Sequence, residues 1–327
     1  MTRTTVPEPH RHVVQAAALA PSVHNTQPWR FTAYEDGLDL WADPQRQLPV
    51  LDPEGRQLHL SCGAALLHAR VAARGIGLDP LATLLPDPAD TEHLARLQLR
   101  PGEPATQPEL ELAEAILRRH THRDAVDAVR LPAALLERLR LAADREGATM
   151  RRVTSEQDLL ELEVLLARAD RVEEADPAYR QEVADWVRSA PADDGIAPAA
   201  MPPDPERGSS LRLRDFGLAG ERPAGGEPPV AERPDVVVLV SADDTPLSWL
   251  QTGQALGALL LVAAQHGVLA QPLGQVTDLP VFRSALGRSL GLLGTAQLAL
   301  RLGYATSAAT APRRDVSDVL DGPPAAG

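Results

Sequence analysis

Four short segments gather the side chains best suited to chemistry, and all four are rich in hydrogen-bond donors. The first, Ala20 to Phe31, reads A-P-S-V-H-N-T-Q-P-W-R-F and carries the donors Ser22, His24, Asn25 and Gln27 beside one large aromatic, Trp29. Pro21, Pro28 and the small Ser22 set its backbone. The second is Arg118-Arg119-His120-Thr121-His122-Arg123. Guanidinium groups make paired, charge-assisted hydrogen bonds to phosphate and a hydroxyl adds a donor, so Arg119, Thr121 and Arg123 are candidates for an anion site. The third, Ala270-Gln271-Pro272-Leu273-Gly274-Gln275, joins a proline-fixed backbone to a glycine that permits close approach. The fourth, Pro312-Arg313-Arg314-Asp315-Val316-Ser317-Asp318-Val319-Leu320, brings two further arginines. Each segment also has a plainer use: a stiffened connection, cations that complement a helix C-terminus, a turn, and solvated tail arginines.

The flanking sequence says what must position them. Upstream of the first segment, His12 to Leu19 repeats apolar residues at helical spacing, and Pro21 ends that helix. Downstream, Trp29 to Tyr34 alternates like a strand, Glu35-Asp36-Gly37 turns, and Leu38 to Trp41 alternates again, the signature of a hairpin. The donor-rich loop therefore joins a helix to a sheet and is too polar to be core. The second segment follows a helix over Glu109 to Arg119. A long helix over Gln57 to Arg74, an apolar connection, a strand at Leu94 to Leu99, a charged helical region from Glu156 to Arg188, and strands at Asp235 to Val240 and Ala296 to Leu302 complete the outline.

Composition removes several classes of function. The chain has 327 residues, 44% of them hydrophobic, enough for one large or two ordinary domains. A net charge of −13, from 45 acidic and 32 basic residues, disfavours nucleic acid and anionic membrane as partners. All the basic residues are arginine, so Schiff-base, pyridoxal-phosphate and P-loop lysine chemistry are excluded. The single cysteine, Cys62, permits neither an intrachain disulfide nor a cysteine zinc site, and reads as a small core thiol. The N-terminus lacks an apolar signal region, and no run reaches the roughly 18 apolar residues of a membrane span. These features predict a soluble, reduced, cytoplasmic protein.

An internal repeat organises the chain. Leu60-x-x-Gly63-x-Ala65-Leu66, followed by Ala73 and Gly77, recurs as Leu250-x-x-Gly253-x-Ala255-Leu256, followed by Ala263 and Gly267. Both copies are helices ending in glycine, and each precedes an apolar strand. The expected organisation is a first half over residues 1–100, a linker at 101–108, and a second half over 109–320. The second half carries a Pro- and Gly-rich insertion at about 193–233, broken by Ser210-Leu211-Arg212-Leu213-Arg214-Asp215-Phe216, and a disordered tail follows at 321–327.

The first segment resembles the flavin-contacting signature A-P-S-x-x-N-x-Q-P-W-x-F of the FMN-dependent nitroreductase family, matched at every fixed position. The other three resemble that family's phosphate segment, its turn beside the reactive flavin nitrogen, and its C-terminal arginine motif. The resemblance implies an α+β, nitroreductase-like fold of two fused repeats, each a mostly antiparallel sheet flanked by helices. It assigns FMN to Pro21, Ser22, Val23, Asn25, Arg119, His120, Thr121, Arg123, Pro272, Leu273, Gly274, Arg313 and Arg314, with Arg314 preferred over Arg313 for the phosphate. Gly274 departs from the glutamate that many nitroreductases carry there. Thr2 to Arg11 lacks a phosphate segment, and Ala142 to Thr149 lacks the loop signature, so one of two symmetric flavin sites is retained. Such a fused pseudo-dimer resembles the Acg-like subgroup of actinobacteria, in which a lid from the second half covers the flavin.

The resemblance further implies hydride transfer from NAD(P)H to FMN and on to a small nitroaromatic or quinone, with no side chain required as a proton-transfer catalyst and no metal. His24 and His120 are candidates for that role by position only, and the preferred reading is that they pack or hydrogen-bond near the cofactor. Fusion makes a monomer sufficient and leaves further dimerisation open. The alternative is a flavin-sequestering or stress-related FMN-binding protein with a closed lid and little turnover.

Overall fold

A computed structural model describes residues 6–190, 192–197, 211, 213, 214, 216, 232–305 and 310–322. The first half runs α1 (Glu8–Ala17), β1 (Trp29–Tyr34), β2 (Gly37–Ala42), α2 (Arg56–Gly75), β3 (Leu78–Leu84) and β4 (His93–Pro101). After α3 (Gln107–Arg118), the second half runs α4 (Ala133–Asp144), β5 (Thr149–Val153), α5 (Glu156–Ala175), α6 (Pro177–Trp186), β6 (Asp235–Ser241) and α7 (Pro246–Gln265). It ends with β7 (Val268–Pro272), α8 (Gln275–Asp278), α9 (Pro280–Ser289), β8 (Thr295–Tyr304) and β9 (Leu320–Asp321).

The duplication is written in the topology. One sheet has the order β3-β4-β2-β1-β9 and the other β5-β6-β8-β7, so the second repeats the first four strands with β5 to β8 in place of β1 to β4. All pairings are antiparallel except that of β9 beside β1, where Leu320 and Asp321 meet Phe31 and Thr32. The chain's end thus returns to the first half, and Val316 and Val319 join its core. Asp321, expected in the tail, is ordered by that pairing, and 323–327 lie outside the described residues.

Helices α2 and α7 form the seam between the halves. Both are apolar around most of their circumference, as a helix buried on all sides must be. Asp52 caps α2 by accepting from the Gln57 and Leu58 amides at 2.9 Å each, and Thr245 caps α7 through the Ser248 amide. Each helix stops at a glycine with positive φ, Gly77 at 79° and Gly267 at 68°. Against expectation, α7 has the length and mean hydropathy (1.3) of a membrane span, but 78% of that window is buried against protein.

Two differences from the sequence reading bear on the site. The apolar connection after α2 is the edge strand β3, where Pro80 is tolerated because an edge leaves its missing donor unneeded. The expected insertion falls within the connection from β5 to β6, residues 154–234, where the first half has only the Glu35-Asp36 turn. Helices α5 and α6 belong to it. Of the expected lid, residues 198–210, 212, 215 and 217–231 lie outside the described residues.

Candidate functional site

Much of the donor-rich loop is buried, contrary to the expectation from its polarity, while Pro21, Ser22, Val23 and Asn25 keep partial exposure. His24 and Gln27 are almost inaccessible, and much of the loop's hydrogen bonding comes from distant parts of the chain. The Gln27 amide donates to Ser22 Oγ at 3.0 Å, and its side chain donates to the Asp193 carbonyl and accepts from the Arg314 amide, both at 2.9 Å. Asn25 donates to the Gly195 and Pro312 carbonyls at 3.1 Å and accepts from Arg313 at 3.0 Å. The Val23 amide donates to Ser61 Oγ on α2 at 3.2 Å. Four non-glycine residues have positive φ among the described residues, and His24 (45°), Asn25 (56°) and Gln27 (49°) are three of them. Such backbone persists only where surrounding contacts over-determine it, and it clusters at functional sites.

Two adjacent cavities, which share Pro21, Ser22, Thr121 and Arg123, open against this loop. Pro21, Ser22, Asn25, Arg119, His120, Thr121, Arg123, Ala311 and Arg313 line the smaller, of about 40 Å³. Its electrostatics are one-sided. Arg119 donates to the Leu19 carbonyl, Arg313 donates to Asn25 and to the Ala311 and Pro312 carbonyls, and neither meets a carboxylate among the described residues. Burial and then the neighbouring Arg313 push Arg119 down to about 9, and burial pushes Arg313 down to about 10. Buried cations without counter-charge ask for an anion. The segment is held in place by a parallel bridge from Thr121 to Ala270 and by His122, whose amide donates to the Ala270 carbonyl at 3.0 Å.

Pro21, Ser22, Thr121 and Arg123 also line the larger cavity, of about 100 Å³. Its floor comes from α2 (Gln57, Leu60, Ser61), from Leu256 and Leu298, and from Gln271, Pro272, Gly274 and Gln275 at the end of β7. Its roof comes from the insertion: Arg214 and Phe216. Phe216 packs edge-on to His24, ring centroids 5.7 Å apart, and Arg123 lies over its ring at 5.5 Å. Arg214 is fixed by Glu173 and Asp278, both at 2.9 Å, and Asp278 also takes Arg56 at 3.0 Å and Gln57 at 2.5 Å. Burial alone would lower Arg214, but Glu173, Tyr179 and Asp278 hold it well above the ordinary guanidinium value. Burial pushes Glu173 up to about 7 against the pull of Arg214. A Cβ at Gly274 would lie 2.9 Å from the fixed Asp278 carboxylate, so this position favours glycine.

The structure brings together Pro21, Ser22, Val23, Asn25, Arg119, His120, Thr121, Arg123, Pro272, Gly274 and Arg313. Leu273 stands apart, its side chain fully buried in the core beneath the second sheet. Arg314, the preferred arginine at the sequence level, turns away: its guanidinium donates to the Gln27 carbonyl at 3.4 Å and to the Asp318 carbonyl at 2.5 Å, while Arg313 faces the anion cavity. Sequence reasoning missed Gln57, Ser61, Asp278, Arg214 and Phe216. Gln57 and Ser61, four apart and polar on an apolar helix, and the Leu211, Leu213, Phe216 pattern inside the insertion were the available signals.

Two fused α+β halves with one two-part ligand site at their seam define a duplicated ligand-binding protein. No family model matches the chain. The Mycobacterium tuberculosis protein named Putative NAD(P)H nitroreductase Rv3131 is 32% identical over 318 residues, 96% of this chain and 91% of that protein. The same organism's Putative NAD(P)H nitroreductase acg is 30% identical over 323 residues, 95% of this chain and 94% of that protein. The chain belongs to this Acg-like nitroreductase family. Among solved structures, an FMN-bound nitroreductase from Bacteroides fragilis is 18% identical, with a TM-score of 0.38 over 62% of this chain and 93% of that one.

Proposed function

We propose that this protein holds FMN across the two adjacent cavities and acts as an NAD(P)H-dependent oxidoreductase of the nitroreductase type on a small nitroaromatic or quinone. The observation that carries the reading is the pair Arg119 and Arg313, buried without a carboxylate partner among the described residues at the mouth of a cavity that continues between Pro21 and Pro272. A phosphate supplies the missing charge, and a flat ring suits a cleft whose lining mixes apolar Leu60, Leu256 and Leu298 with polar Gln57, Ser61 and Gln271. FMN, when bound, supplies hydride acceptance and release. The chain's own groups bind and orient it: His120 and Thr121 add donors beside the arginines, and Gly274 lets the backbone come close. Both parts of the site come from one chain, so a monomer suffices, and the single buried thiol suits a reducing cytoplasm.

A second reading, flavin sequestration with little turnover, is favoured by one observation. The larger cavity, about 100 Å³ under the Phe216 and Arg214 roof, falls below the roughly 300 Å³ at which ligand pockets begin. A site that small favours one bound ring over a ring with a second ligand stacked on it. Anaerobic stopped-flow separates the two. FMN titrated into apo-protein should bind with quenched fluorescence. Rapid, saturable bleaching by NADPH or NADH, reversed by a nitroaromatic or quinone, supports the reductase. Bound flavin that nicotinamide leaves oxidised but dithionite reduces supports sequestration, and absence of FMN binding overturns both.

A further inference from the structure

Resting on the flavin reading, we infer that His24 Nδ1–H is a hydrogen-bond donor to the ring held in the larger cavity, and that Arg214 is the positioning residue that makes it one. His24 occupies left-handed backbone, φ 45° and ψ 22°, which a non-glycine residue adopts only under constraint. Its ring is buried, lines the cavity and is braced by Phe216.

The protonation state follows from its neighbours. Burial, then Arg214 and Arg123, hold the imidazole well below its ordinary value, so it is neutral. A neutral imidazole has one donor and one acceptor nitrogen, and a guanidinium can only donate. Arg214 Nη1 stands 3.4 Å from His24 Nε2, so Nε2 accepts and the proton resides on Nδ1, a tautomer assigned from the partner. Arg214 cannot turn aside, because Glu173 and Asp278 hold its other nitrogen. The Nδ1 atom is buried and has no hydrogen-bond partner among the described residues. Buried donors left unpaired are costly and rare, and a ligand filling the cavity that His24 lines can supply the acceptor. An isoalloxazine presents carbonyl oxygens and ring nitrogens as acceptors. A donor aimed at such an atom favours the redox form with more negative charge on it, the reduced flavin.

The test uses His24→Asn, which keeps an amide N–H near the position of Nδ1 and tolerates left-handed backbone, and His24→Gly, which tolerates that backbone but lacks the donor. Anaerobic redox titration of FMN-loaded protein against reference dyes gives the potential. His24→Gly should favour the oxidised over the reduced flavin by about tenfold, one ordinary hydrogen bond, which is about 30 mV for a two-electron couple. His24→Asn should stay within about twofold of wild type. Nitrogen-15 histidine spectra of wild type should show Nδ1 protonated, with that resonance moving on FMN addition. An Nε2-protonated tautomer, or FMN-loaded His24→Gly with wild-type potential and visible spectrum, overturns the donor role and leaves the flavin reading standing. A wild-type protein that binds no FMN removes both.

Discussion

Gly63 and Gly253 meet face to face where α2 crosses α7, each lying under the other's helix. A Cβ built on Gly63 would lie 2.2 Å from the Leu250 carbonyl oxygen and 2.9 Å from the Gly253 Cα, and one built on Gly253 would lie 2.2 Å from the Leu60 carbonyl oxygen and 2.9 Å from the Gly63 Cα. The symmetry is that of the repeat: Leu60 and Gly63 in one copy take the places of Leu250 and Gly253 in the other. A duplicated helix thus packs on its own copy as two subunits would pack about a two-fold axis. The crossing sets the separation of the halves and hence the width of the cleft, since Leu60 and Ser61 on α2 line it one turn away.

That crossing should not tolerate a methyl group. The obstructing atoms are backbone on both helices, so no rotamer change relieves Gly63→Ala or Gly253→Ala. Each should destabilise by about 3 kcal/mol, the upper end of overpacking, and lower Tm by roughly 6 °C. Gly287→Ala in α9 is the control, because nothing lies within 4 Å of its Cβ. It should gain about 0.5–1 kcal/mol from helix propensity. Calorimetry that finds Gly63→Ala as stable as Gly287→Ala would refute the close crossing.

The anion site should separate stability from affinity. Arg119→Met removes a buried cation with no carboxylate partner among the described residues, so the apo-protein should hold steady or gain about 1 kcal/mol. FMN affinity should fall by about 10- to 100-fold, the worth of a charged hydrogen bond. Arg313→Met should behave alike. Arg314→Met should keep affinity within about threefold, because that guanidinium serves the Gln27 and Asp318 carbonyls. Equal losses at Arg313 and Arg314 would contradict the placement.

The retained loop, the repeat and the two-sheet plan were legible because each rests on local pattern: fixed residues at fixed spacing, or period-two and helical alternation. What was not legible depends on tertiary partners. The choice between Arg313 and Arg314 is decided by Asn25 and Gln27, nearly 300 positions away in sequence, each satisfying one neighbour. The burial of a polar loop follows from carbonyls at Asp193, Gly195 and Pro312 that no local rule connects to it. Asp278 reads as an ordinary helix-end carboxylate until Arg56 and Arg214 are seen to share it.

Glu173 gives the protein a pH signature. Burial raises its folded value to about 7 from an ordinary 4.5, with Asp278 and Asp170 adding to the rise. The native state then binds more protons than the unfolded state between those values, so stability falls as pH climbs through that window. The difference in unfolding free energy between wild type and Glu173→Gln should therefore decline by about 3 kcal/mol from pH 4.5 to pH 8. Denaturant titrations across that range giving a constant difference would mean that folding does not raise the Glu173 carboxyl above its ordinary value.

Phe216 decides whether the roof limits chemistry. Its ring closes the larger cavity between His24 and Arg123 and joins Leu48, Leu51, Tyr179 and Val183 in a small cluster that ties the insertion to the first half. Phe216→Ala should cost about 3 kcal/mol, the low end for a buried aromatic, because the cluster is peripheral. It should leave FMN affinity near that of wild type, since the phosphate arginines lie in the other cavity. If the ring bars nicotinamide, the variant should speed flavin bleaching by NADPH at least about tenfold, the effect of removing some 1.4 kcal/mol of obstruction. Dithionite, a smaller reductant, should gain less. A wild type that bleaches rapidly and a variant that bleaches no faster would mean that nicotinamide reaches the flavin by a route Phe216 does not obstruct, and sequestration would lose its one structural support.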